Sequence, residues 1–148
     1  SPEAPYGIMW RRTVDGWRAI DLDTALPQLN FSGGGHSTAT SRAADGRVHL
    51  LISTQAQGAG EGWYHVANEV HHVAFTPDGR IDSHQQLTSD DPTQARWLPS
   101  IEYWNWGAAD SSCADGHWYL YTSGINAGWM DADGYQDTLK TQVWLGRL

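Results

Sequence analysis

The chain has 148 residues, of which 40% are hydrophobic and 18% charged, and its formal net charge is −8. That length suits one domain with an ordinary core, and the composition excludes a disordered chain. With Lys140 as its only lysine the chain carries no clustered basic surface for nucleic acid, and no run approaches the ~20 apolar residues of a membrane-spanning helix.

The single Cys113 excludes an internal disulfide framework. The opening Ser1-Pro2-Glu3-Ala4-Pro5 reads as a processed or trimmed start rather than a signal peptide. Nine Trp and six Tyr stand against two Phe, so nearly every aromatic ring carries a polar edge that can face water or a ligand.

In chain order, Asp-Gly pairs punctuate β-rich runs, the strongest short-range signal for a hairpin. Ile8 to Val14 turns at Asp15-Gly16 into Trp17 to Leu22, and His36 to Ala43 turns at Asp45-Gly46 into Arg47 to Ser53. Val70 to Thr76 turns at Asp78-Gly79 into Arg80 to Leu87, and Ser111 to Ala114 turns at Asp115-Gly116 into His117 to Ser123. A fifth pair, Asp133-Gly134, lies in a loop before a last strand from Leu139 to Leu148. Val48 to Ile52 and His117 to Tyr121 are apolar enough to predict cover on both faces, whereas Arg80 to His84 predicts a wetter outer strand. No segment carries a helical stripe, so the predicted class is all-β.

Two kinds of hairpin alternate. Those at Asp45 and Asp115 follow small residues and lead into an apolar strand; those at Asp15 and Asp78 lead into a more polar one. Like kinds are 63 and 70 residues apart, which fits a four-stranded repeat of β-propeller type. The chain then reads as a single all-β unit over 1–148. It holds the outer hairpin of one blade (1–30), one full blade (31–95) and an incomplete last blade (96–148). About two and a half blades cannot close a ring of four to eight, so the expectation is the C-terminal part of a larger propeller, with a β-sandwich as the alternative. Either the remaining blades lie on another chain or copies self-associate.

The run from Gly35 to Leu50, GHSTATSRAADGRVHL, resembles the inner hairpin of bacterial neuraminidase-like (BNR) repeat proteins. Tyr64-His65, His71 to Phe75 and Thr141 to Leu148 look like later blades of the same group, which includes ulvan lyases and related secreted polysaccharide-degrading propellers. The resemblance covers most of the chain through strand-and-turn patterns. The sialidase Asp box, Ser-x-Asp-x-Gly-x-Thr-Trp, does not occur. The resemblance implies a secreted or periplasmic protein acting on an extracellular acidic polysaccharide.

Several residues could carry that chemistry, each with core packing or strand capping as its structural alternative. His36 follows three glycines and opens an inner strand, and its imidazole titrates near neutrality as a general base should. Tyr64 could move a proton in uronic-acid elimination, and Arg96 could neutralise the uronate carboxylate. Trp104 and Trp106, on one face of an extended segment with Asn105 between them, suit a sugar ring and its hydroxyls; His65 and Trp129 are further binding candidates. No paired catalytic carboxylates form a motif, which favours a His/Tyr lyase over a glycoside hydrolase. The alternative is a non-catalytic carbohydrate-binding module or lectin. No cofactor is required by this chemistry. Cys113 and His117, with His71 or His72 from the neighbouring hairpin, could hold a structural zinc.

Overall fold

The computed structural model describes residues 7–31, 37–42, 46–56, 58, 65–89, 93–102, 117–126 and 139–148. Among them the all-β expectation holds: there are ten strands and one four-residue helical turn. Two Asp-Gly hairpins form where expected. Strands β1 (Ile8–Thr13) and β2 (Gly16–Asp21) pair along their full length around Gly16, at φ 115°, and β6 (Glu69–Phe75) meets β7 (Ile81–Gln86) across a turn with Gly79 at φ 85°. These angles lie in the left-handed region that only glycine enters freely. Strands β4 (Ser37–Arg42) and β5 (Val48–Ala56) also pair as a hairpin, with Gly46 at φ 84°.

A short helix, Leu22–Ala25, follows β2 because Asp21 caps it: its carboxylate accepts from the Thr24 amide at 3.1 Å and the Thr24 hydroxyl at 2.8 Å. Strand β3 (Leu29–Asn30) then extends the edge of β5 next to β4. The result is an antiparallel meander, β4-β5-β6-β7, with β3 on the same edge as β4. The outer strand β7 is mostly exposed, with only Ile81 and His84 half-buried, as its polar residues predict.

The next sheet differs from the expected one. Strand β9 (Trp118–Asn126) pairs on one side with β10 (Leu139–Arg147) and on the other with β8 (Ala95–Ile101). The expected partner, Ser111 to Ala114, and the Asp115 turn lie outside the described residues. Strand β8 is hard to see in sequence because Leu98-Pro99 interrupts it. Proline lacks a ladder donor and is confined to edges and bulges, and the register shifts between Trp97 and Ser100, with Leu98 at φ 49°. Pairing resumes directly after that irregularity, Ser100 with Leu120 and Ile101 with Tyr119.

Alternation along β5 and β6 divides the core in two. Leu50, Ile52, Val73 and Phe75 face one way, against Leu22, Leu26, Leu29, Phe31 and the Met9–Ile20 pair of the first hairpin. Leu51 and Val70 face the other way, against Ile101, Tyr119, Tyr121 and Leu148. The four-stranded meander is thus covered on both faces, which explains why β5 and β6 are buried almost throughout. Tyr119 lies across its strand partner Gly146 so closely that a Cβ there would stand 2.3 Å from the ring; glycine is what lets the ring lie down on β10.

The expectation that both faces of His117 to Tyr121 are covered is corrected. Tyr119 and Tyr121 pack inward, but Trp118 and Leu120 remain 42% and 39% exposed. The strand lies in the outermost of the described sheets, so no other described sheet covers its second face.

Candidate functional site

Two groups of polar side chains sit at opposite ends of the strands. At one end, Ser37 of β4 pairs with Ser53 of β5, and Glu69 of β6 pairs with Thr54. Strand β8 crosses here: the buried Ser53 hydroxyl donates to the Arg96 carbonyl. The Arg96 guanidinium is buried and donates at 2.8 Å to Glu69 Oε1 and at 2.8 Å to the Gln94 carbonyl. The Thr88 hydroxyl donates to the other Glu69 oxygen and accepts from the Val70 amide. Both charges are therefore paired and hydrogen-bonded, which a buried ion pair requires. Burial first, then Tyr119 and Glu69, push the Tyr121 hydroxyl up from its ordinary value, and Arg96 opposes them.

Arg96 is thus held by a carboxylate of the protein itself, in the position where a substrate carboxylate was expected. His36 and Tyr64 lie outside the described residues, but their chain neighbours Ser37 and His65 belong to this same end. His65 is half-buried in a turn, accepts from the Ala67 amide at 3.1 Å through Nδ1, and leads to Asn68, which accepts from Gln55 of β5 at 2.7 Å. Trp104, Asn105, Trp106, Trp129 and Cys113 lie outside the described residues.

Toward the other end, three imidazoles meet. His49 of β5 and His72 of β6 share a face because Leu51 opposes His72 and Ala74 opposes His49. Their rings stack at 5.1 Å between centroids, with His49 Nδ1 and His72 Nε2 2.9 Å apart, one donating to the other. His117, just before β9, tilts against His49 at 4.5 Å. Burial first, then the neighbouring histidines His49, His117 and His84, push His72 down to about 4, so it is neutral at physiological pH. The buried His117 Nδ1 has no hydrogen-bond partner among the described residues.

The opposite face of the meander carries a second imidazole pair. Gln28 donates at 3.0 Å to His84 Nδ1, which leaves His84 Nε2 to donate to His71 Nδ1 at 3.2 Å. His71 and His72 thus point to opposite faces, as strand alternation demands. Among the described residues, no group of three or more His, Cys, Asp or Glu side chains has the arrangement of a metal site as it stands.

Sequence reasoning brought His72 and His117 together through a neighbouring hairpin, but it missed His49 between them. Alternation alone puts His49 on one face of β5; only the register with β6 says that this is the face of His72. It also missed Glu69, an acidic side chain opening a strand of apolar and imidazole residues, which was a signal for a buried cationic partner. The chain matches no protein-family model, no curated protein and no solved structure.

Proposed function

We propose that this chain is a carbohydrate-active β-propeller segment, secreted or periplasmic, that acts on an acidic polysaccharide as a lyase. The observation that carries this reading is the convergence, at one end of the strands, of the chain neighbours of His36 and Tyr64 with Arg96 itself. The meander β4-β5-β6-β7 beside the partial meander β8-β9-β10 supports the propeller form. The inner strand β8 lies against β4, as inner strands of successive blades would. In this scheme His36 takes the proton beside the uronate carboxylate and Tyr64 returns one to the leaving oxygen. Arg96 supplies positive charge at the floor of the site, balanced in the free protein by Glu69. Trp104 and Trp106 carry the sugar ring.

A panel of uronate-containing polysaccharides, followed by the ultraviolet absorbance of the unsaturated product, tests the reading. Growth of that absorbance on at least one of them is the expected result. Depolymerisation without an unsaturated end would point to hydrolysis instead. A specific observation favours the lectin alternative: Glu69 already occupies Arg96. Binding without turnover would establish it.

The imidazole cluster suits a structural zinc with Cys113, His72 and His117 as ligands and His49 as the fourth. His72 is held neutral, as a ligand must be, and the orphaned His117 Nδ1 gains a partner. Binding exchanges the His49–His72 hydrogen bond for two metal bonds. Zinc supplies folding energy here and takes no part in elimination. Metal analysis of the purified protein is expected to find one zinc per chain, and His117→Ala to lose it; wild-type protein without zinc would leave the cluster a hydrogen-bonded core.

A further inference from the structure

The three described sheets form a stack, and both of its ends expose large apolar side chains. The first hairpin, β1-β2, turns Met9 and Ile20 inward onto the central meander. Its other face carries Ile8, Trp10 and Trp17, paired with Asp21, Ala19 and Arg12, with Trp10 62% and Trp17 70% exposed. At the far end, β8-β9-β10 turns Tyr119, Tyr121 and Leu148 inward onto the opposite face of the meander. Its outer face aligns Trp118, Leu120, Val143 and Leu145, with Val143 69% and Leu145 67% exposed.

Charged strands or capping residues normally close the end of such an array. Among the described residues, neither face is closed by a further strand, and each carries only a few charges beside its large apolar side chains. Arg12 stands directly across from Trp17 on the first face. On the far face Glu102 lines, with Ile101, Trp118, Leu120 and Leu145, a hollow of about 210 Å³, and Arg147 lies over Trp118 at 5.6 Å.

We infer that these two faces are the two halves of one junction, and that a second copy of this chain docks head to tail, its β1-β2 face on the β9-β10 face of the first. The argument is continuity with the interfaces inside the chain. Each sheet already packs one face on the previous sheet and offers the other to the next. Continuing the stack by the same rule sets Trp10 and Trp17 of one copy against Leu120, Val143 and Leu145 of its partner. Arg12 then comes toward the hollow that Glu102 lines. The contact is heterologous, so it either closes into a ring or extends.

Two charged substitutions separate this geometry from the alternatives. Trp17→Asp blocks the first face and Leu145→Asp the second; both positions are exposed, so neither change opens the core. By sedimentation the wild-type chain is expected to associate in a concentration-dependent way. Each variant alone is expected to be monomeric, because every junction needs one intact face of each kind. Mixed, the two retain one complementary pair of faces and are expected to form a 1:1 dimer that grows no further, which also shows that both variants are folded. A wild-type monomer at every concentration overturns the inference. So does a Trp17→Asp variant that still dimerises, because the contact would then join two like faces, and so does a mixture that stays monomeric.

Discussion

Replacing His36 with alanine is expected to lower turnover of the acidic polysaccharide by ~10²–10⁴-fold, the range for loss of a general base. The size follows from the reaction. The proton beside a uronate carboxylate is weakly acidic, and its removal at neutral pH needs a base that is both unprotonated and basic, which an ordinary imidazole is. His72, pushed down to about 4, is unprotonated but a poor proton acceptor, so it cannot substitute for His36. Its chain neighbour Ser37 opens β4 in the same corner as Arg96, through Ser53. Trp104→Ala, by contrast, is expected to raise KM with little change in kcat, because a ring platform binds ground state and transition state alike. Unchanged turnover in His36→Ala, with an unchanged near-ultraviolet circular dichroism spectrum, would remove His36 from the mechanism.

The second large effect concerns stability. Arg96→Met is expected to destabilise the fold by about 3–5 kcal/mol, since it leaves the Glu69 carboxylate buried without its cation. Glu69 is 5% exposed, and the Thr88 hydroxyl that also donates to it cannot offset a lost charge. Adding Glu69→Leu to Arg96→Met should recover most of that loss, because removing both charges also removes the cost of taking them out of water. Denaturant midpoints for the two single variants and the double variant measure the coupling. Additive losses, with no recovery in the double variant, would mean that packing of the two side chains matters more than their charge.

The two variants also separate structure from chemistry. Loss of turnover in Arg96→Met alone is ambiguous, because the fold weakens with it. Restored stability without restored turnover in the double variant would place Arg96 in the reaction. Restored stability together with restored turnover would leave it a structural residue.

Much of the architecture was legible in the chain. Period-two alternation and Asp-Gly turns mark a hairpin locally, because glycine supplies the positive φ that a tight chain reversal needs. The hairpins at Gly16, Gly46 and Gly79 therefore appear where their residues predict them, and the polar run from Arg80 to His84 forms an outer strand. The strand β8 was not legible. Its ladder is broken by Pro99, and its partner is separated from it by residues 102–117, so no local signal links them.

The candidate sites follow the same division. By itself the sequence determined the strand class, the turns, the alternation that sends His71 and His72 to opposite faces, and the absence of a helical stripe. These depend on neighbours two or three residues away. Only the tertiary structure decided that His49 stands between His72 and His117, that Glu69 holds Arg96, and that the outer faces of the first and last sheets carry uncovered tryptophan and leucine. Each of these depends on register between strands far apart in sequence. A slip of one residue would turn every side chain to the other face, and it is packing across the whole core that selects the register.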